Sequence, residues 1–394
     1  MENLMIYREK FATKLKQKFP ALNEWLYLGA LAIYICAMAL KGTMLVNFLV
    51  NERGLYFLSV LPAMVVLFKI IFLDEHDWKE LAIFLLLEVV LFATGTNANE
   101  FLIFYFTFFI FGAKGIDIDK ILKVFLTVNL FVIALAMFFS TIGSVKSVVV
   151  TRSDSPVLRF ALGAVYPTDF ASRIFYMMMA YAILRRFKFS VAEYISYIML
   201  TIMSYILTDT RIDLLLMILL IICIASYRYL KKVLQKISPL VWTVLSAGYV
   251  FLIILLGYLY TPNIAILEKI NNFLSGRLFY ENLAFKNYNT PLLGQFIYQN
   301  GFGGGFKVLD YFYIDSSYVR TLMMYGVVVT LLMIILFYYL FKRFSKVALS
   351  YWLVIFLLVI LTSGIDQHLW DISYNFIFLA LMANLSEKKK LNTK

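Results

Sequence analysis

Charge is what this chain has least of. Only 15% of its residues are Asp, Glu, Lys or Arg, whereas 62% are hydrophobic and 18% aromatic, and no water-soluble domain keeps that much apolar surface out of water. Mean hydropathy is +0.82. A nucleic-acid partner is excluded with the soluble classes, because the +12 net charge has no folded polar domain to sit on. Cysteine is scarce too. Cys36 and Cys223 both lie in apolar runs, where packing rather than crosslinking is the expected role. Histidine occurs only as His76 and His368, and no His, Asp or Glu spacing reads as a metal site. No cofactor is expected.

What is there is a succession of long apolar runs, without the short alternating segments of a barrel. The fold class is therefore an all-α polytopic membrane protein, read as one domain over residues 1–394. A bilayer core of ~30 Å takes about 20 residues per helix, so the chain has room for roughly a dozen spans. After a basic N-terminal stretch that reads as an amphipathic helix over Met1–Ala21, spans are expected over about 22–40, 55–73, 80–93, 101–111, 121–142, 170–184, 191–207, 211–227, 240–260, 322–341, 348–362 and 372–385. Two outer segments are long. Gly143–Pro167 is one, and a loop over about 261–321 is the other. Lys and Arg concentrate in alternate connections and at both ends, which by the positive-inside bias puts both termini in the cytoplasm and the two long loops outside. The basic fringe then faces anionic lipid.

Arginine is distributed differently from lysine. Arg159, Arg173, Arg211, Arg277 and Arg320 fall on the outer side beside apolar segments, where a guanidinium needs an anionic partner or a route to the headgroups. Singly, each is explained by snorkelling or by a pair with Asp154, Asp169, Asp209 or Glu281. As a group they match the planar, bidentate recognition of phosphate oxygens.

In the long loop, Ile266, Leu267, Ile270, Phe273 and Leu274 recur at helical spacing and predict an interfacial amphipathic helix. Ser275 is placed to cap a second helix, on which Arg277 and Glu281 stand four apart on one face, either as a local ion pair alone or as functional groups. The glycine run NGFGGGF at 300–306 lacks the Lys-Ser/Thr of a nucleotide loop and reads as a hinge or close-approach turn. Tyr298, Phe302, Phe306, Tyr311, Phe312 and Tyr313 either stack on sugars or seat the loop in the headgroups. Asp315, at the junction of the loop with the next span, stands where a helix cap is expected. His368, in the loop IDQHLWD, is expected to be solvated.

These residues resemble a known pattern. Ser-Gly-Arg at 275–277, Pro-Leu-Leu-Gly at 291–294, Asp-Ser-Ser-Tyr at 315–318 and Tyr-Gly at 325–326 look like the large-loop pattern of Wzy-type polysaccharide polymerases. Arg-Phe-Ala-Leu-Gly at 159–163 with Tyr166-Pro167, and Thr-Asp-Thr-Arg at 208–211, resemble that family's shorter outer motifs. The chain departs in having Tyr-Pro-Thr at 166–168 where the family often has His-Pro-Asn, and Asp-Ser-Ser-Tyr where it has Asp-Asn-Ser-Tyr.

The resemblance implies a metal-independent glycosyltransferase of the bacterial cytoplasmic membrane. It would join oligosaccharide repeat units carried on undecaprenyl diphosphate into a growing surface polysaccharide, with a flippase and a chain-length regulator as further partners. Such a reaction needs positive charge on the departing diphosphate and a base for the attacking hydroxyl. Arg211 and Arg277, with Asp315 as base, would carry it. Arg159, Arg173, Arg320, Tyr318, Glu281 and His368 would bind substrate or diphosphate, with Asp169, Glu281 and His368 as further candidates for the base. An O-antigen-ligase-like transferase and a flippase or exporter of the same lipid-linked oligosaccharide are the competing readings.

Overall fold

The computed structural model of the chain describes residues 8, 10, 12–15, 17–46, 48–49, 52–152, 155–301, 303–305, 309–346 and 349–385. Part of the expected N-terminal amphipathic helix, Asp154, Phe302, Phe306 and the basic tail lie outside them. The described chain is mostly helical. It runs through α1 (Leu22–Lys41), α2 (Glu52–Phe72), α3 (Trp78–Ala98), α4 (Leu102–Gly112), α5 (Ile118–Thr141), a hairpin of β1 (Val149–Arg152) and β2 (Ser155–Phe160), α6 (Pro167–Leu184), α7 (Val191–Thr208), α8 (Arg211–Ala225) and α9 (Tyr227–Leu234). There follow α10 (Pro239–Leu259), α11 (Ala265–Phe273), α12 (Arg277–Asn287), a long α13 (Ser317–Phe344) and α14 (Ser350–Ser363).

Polar caps set where the apolar runs become helices. The Asp77 side chain accepts from Glu80 N to start α3, and Asp117 accepts from Asp119 N to start α5. A reciprocal Ser190–Glu193 capping box starts α7, and Ser238 ahead of Pro239 starts α10. Each cap satisfies amides that the helix itself leaves open, so each boundary falls within a few residues of the place the sequence put it.

Among the described residues seven helices are long and apolar enough to cross a membrane, and eight if α8 and α9, bent by 85° at their junction, count as one. The expected dozen is therefore not reached by length and hydropathy. The fourth and eleventh expected spans are the short apolar helices α4 and α14. The stretch over 372–385 is not an α-helix. It goes through turns and a 3-10 segment at Ile377–Leu381, with Phe376, Ile377, Phe378, Leu379 and Ala380 all at 0% exposure. Irregular backbone is tolerated at such a place because protein, not lipid, surrounds it.

Contacts sort the connections into two ends. At one, Glu24 pairs with Lys120, Arg186 with Asp119, Arg343 donates to the Ala383 carbonyl, and Asp117 bridges Asn384. Lys69 is fully buried there against Asp74 at 2.7 Å, and Arg8 donates to the carbonyls of Asp74 and His76. At the other end lie the β-hairpin and the 261–321 loop. The hairpin forms inside the segment 143–167, where the sequence predicts a loop. Its strands pair antiparallel with Val149 opposite Phe160 and Val150 opposite Arg159. The glycine run docks beside it: Gly304, at φ +75°, donates from N to the Val165 carbonyl at 3.0 Å, and its own carbonyl accepts from Lys146 Nζ at 3.0 Å. This is the close-approach geometry expected of it.

Candidate functional site

The long loop turns back on itself at Ser275 and Gly276, both left-handed at φ +58° and +87°. Gly276 occupies the cap position of α12 with no side-chain bond, so Ser275 does not cap that helix. The turn aims Arg277 across the loop. Its Nε lies 3.5 Å from Asp315 Oδ2, and its Nη1 donates to the Leu274 carbonyl at 3.1 Å. The local pair with Glu281 does not form. Glu281 turns the other way and is buried against α10, at 2% exposure. Nor is Asp315 the helix cap, since Ser316 holds that position.

Asp315 keeps 29% of its side-chain surface, so it stands open to solvent where the loop meets α13, and this loop-to-helix junction is the cleft. Burial raises its pKa from the usual carboxylate value, and the Arg277 and then the Arg320 guanidinium oppose the rise. Beneath it, Ser317 N donates to the Asp366 carbonyl at 2.9 Å, and Asp366 Oδ2 accepts from Thr362 at 2.9 Å. Burial pushes Asp366 up to about 7 against that hydrogen bond. Ser172 Oγ donates to Asp213 Oδ1 at 3.0 Å, which brings α6 and α8 into the same region.

His368 is not solvated. It stacks flat on Tyr374 with ring centroids 3.7 Å apart, and its Nε2 stands 3.9 Å from Asp169 Oδ1. Burial first, then the charges of Arg173 and Arg320, lower its pKa to about 3, so at neutral pH it is a neutral ring that can accept or donate one hydrogen bond.

The other arginines separate by partner. Arg320 is held by Glu100 at 3.3 Å, by the side-chain oxygens of Gln299 and Gln367 at 3.1 and 3.2 Å, and over the ring of Tyr313. Arg173 donates to Asn129 Oδ1 at 2.7 Å and lies 4.0 Å over the Tyr374 ring. Arg159, placed on β2, donates from Nε to the Thr208 carbonyl at 2.9 Å and faces Tyr166. It thus ties two of the short motifs, RFALG and TDTR, together. Arg211 opens α8 next to that turn and is exposed. Tyr318 is where the expectation fails most clearly: it is fully buried, and its hydroxyl is committed to the Ile360 carbonyl at 2.6 Å, so it supports the cleft from below.

Sequence reasoning did not single out Glu100, Gln299, Asp366, Gln367 or Tyr374 as functional. Asp366 and Gln367 stand inside the IDQHLWD motif, and their polarity in a short loop was the available signal. Glu100, in the α3–α4 turn, gave none. Among the described residues no group of three or more His, Cys, Asp or Glu is arranged to hold a metal ion. Comparison with family models, with curated proteins and with solved structures gives no match to this chain.

What the arrangement can do follows from its chemistry. A loop-borne guanidinium beside a half-shielded carboxylate can hold an oxyanion while the carboxylate takes a proton. Tyr280 and Tyr311, 4.7 Å apart edge to face, and Tyr313 add aromatic surface next to it.

Proposed function

We propose that this chain is a polysaccharide polymerase of the cytoplasmic membrane. It transfers oligosaccharide repeat units carried on undecaprenyl diphosphate, on the outer face, with both termini inside and twelve passes of the chain. The observation that carries the reading is the Arg277–Asp315 contact at 3.5 Å. It joins the two ends of the longest polar segment at the mouth of an apolar bundle, where a lipid-borne diphosphate and a sugar hydroxyl can arrive together.

In this reading a hydroxyl oxygen of one repeat unit attacks the anomeric carbon of the other. The bond from that carbon to the diphosphate oxygen breaks, and its electron pair leaves with the diphosphate. The hydroxyl proton goes to Asp315, whose raised pKa makes it a better acceptor than an ordinary aspartate. Arg277 faces the charge that develops on the leaving group, and Arg211, exposed at the start of α8, adds positive charge beside the Arg159 hairpin. Arg320 and Arg173, already partnered, set the shape and field of the cleft. No step uses a metal.

The test is a gel profile of surface polysaccharide from cells lacking the chain, complemented with wild type or with Arg211→Ala, Arg277→Ala or Asp315→Ala at verified abundance. Single lipid-linked units on the outer face in the null strain, a ladder with wild type and loss of the ladder with Arg277→Ala and Asp315→Ala are the expected results. Accumulation of units facing the cytoplasm would replace polymerase with flippase.

A further inference from the structure

Glu281 sits one helical turn after Arg277, yet it points away from the cleft into the seam between α12 and α10. There it meets Gly257. A Cβ placed on Gly257 would lie 2.6 Å from Glu281 Oε2 and 2.9 Å from Glu281 Cβ, so the carboxyl occupies the space that the missing side chain leaves. Among the described residues, Oε2 has no hydrogen-bond partner. Around this contact the same two helices are fastened twice more. Asn282 Nδ2 donates to the Tyr258 carbonyl at 2.8 Å, and Phe285 packs edge to face on Tyr258 with centroids 5.5 Å apart.

We propose that Glu281 is a positioning residue that works by shape. Seated in the notch of Gly257, it fixes the roll of α12 on α10 and thereby holds the Arg277 guanidinium against Asp315. It takes no part in the chemistry as a charged group. Burial, reinforced by Asp315 and opposed by Arg277, raises its pKa well above the ordinary range and so favours the neutral acid form. Glutamine reproduces the size and neutrality of that form, whereas aspartate keeps the acid and loses the reach. Alanine on Gly257 attacks the same contact from the other side. The close approach to Glu281 Cβ cannot be relieved by turning the carboxyl alone.

The polymerase reading enters only through the effect on product, so the experiment has two readouts. The first is the rate of tryptic cleavage after Arg277 in the purified full chain, which reports opening of α12. Wild type and Glu281→Gln are expected to resist equally. Glu281→Ala, Glu281→Asp and Gly257→Ala are expected to be cleaved roughly tenfold faster, as for a local contact weakened by about 1.4 kcal/mol. The second is the surface-polysaccharide ladder, expected to survive Glu281→Gln and to fail in the other three. Opening by Glu281→Gln to the level of Glu281→Ala, or full protection in Glu281→Asp, would overturn the proposal. If the cleavage order holds while no variant alters any polysaccharide, the positioning role stands and the polymerase reading falls.

Discussion

Arg320 and Glu100 stand 220 positions apart in the sequence and meet at 3.3 Å. The pair ties the tip of the α3–α4 hairpin to the first turn of α13, immediately ahead of a π-helical turn at Thr321–Tyr325. Both side chains are largely shielded, at 16% and 19% exposure. Removing one partner leaves the other charge largely shielded from water without its counter-charge. Glu100→Ala is expected to cost on the order of 3 kcal/mol, the low end for a broken buried pair. The double change Glu100→Gln/Arg320→Gln is expected to cost less than the two singles summed, because no charge is then stranded. Thermal unfolding of the purified chain in detergent measures both. A double variant no more stable than the sum of the singles would show that the two side chains do not interact.

His368 predicts a pH dependence with a definite sign. Its folded pKa of about 3 lies below the unfolded value of about 6.5. The stability tied to its neutral form is therefore present above pH 6.5 and is lost as the pH falls toward 3. Between pH 7 and pH 5 this amounts to about 2 kcal/mol. Asp366, raised to about 7, acts in the opposite direction, since its stabilising neutral form is lost as pH rises. The comparison must therefore be made by difference. The unfolding midpoint of wild type minus that of His368→Gln should shrink as the buffer goes from pH 7 to pH 5, and a constant difference would show that folding does not lower the pKa of the ring.

Gly326 and Gly294 form the seam between the loop and the membrane bundle. Both are left-handed, at φ +91° and +84°. A Cβ on Gly326 would lie 2.6 Å from the Leu292 carbonyl and 2.8 Å from Gly294 N, so the Pro-Leu-Leu-Gly segment and the π-turn touch backbone to backbone. Val327 N and Val328 N donate to the Pro291 and Leu292 carbonyls across that seam, at 3.0 and 3.2 Å. Gly326→Ala combines backbone strain of about 1–3 kcal/mol with a clash against main chain that cannot yield. It should lower the unfolding temperature sharply. Gly248→Ala in α10, where a Cβ meets nothing within 4 Å, should be neutral or stabilising by up to about 1 kcal/mol. Equal effects of the two changes would refute the seam.

The helices were legible because their causes are local. Apolar runs, the Asp77, Asp117, Ser190 and Ser238 caps and the basic connections all act over a few residues, and they placed α1 to α8, α10, α13 and α14 closely. The 372–385 stretch was misread for the same reason. Its composition is that of a span, and only its burial among neighbours permits turns and a 3-10 segment there. In the site, Arg277 and Asp315 were named, and their meeting was not. Sequence spacing favoured Arg277 with Glu281, four apart on one helix. The fold decided otherwise, because Gly257 offers Glu281 a notch and the left-handed Ser275–Gly276 turn carries Arg277 over Asp315. Tyr318 shows the same limit from the other side: a motif position says that a residue matters, and only packing says whether it faces the cleft.

Sidedness is the relationship on which every functional statement about the cleft depends. Glu24, Lys120, Asp119, Arg186, Asp117 and Asn384 gather at one end of the bundle by direct contact, and the cleft residues gather at the other. One measurement therefore orients both. Cys36 and Cys223 are replaced by alanine, and single cysteines are then introduced in place of Lys120 and Leu309, both exposed in the fold. With a membrane-impermeant maleimide applied to intact cells, Leu309→Cys should label at once and Lys120→Cys only after permeabilisation. That outcome is the expectation from the positive-inside bias, with the basic connections at the Lys120 end. The opposite labelling pattern would set the Arg277–Asp315 cleft in the cytoplasm. Assembly of polysaccharide on the outer face would then be ruled out for this chain, whatever the loop variants did to its stability.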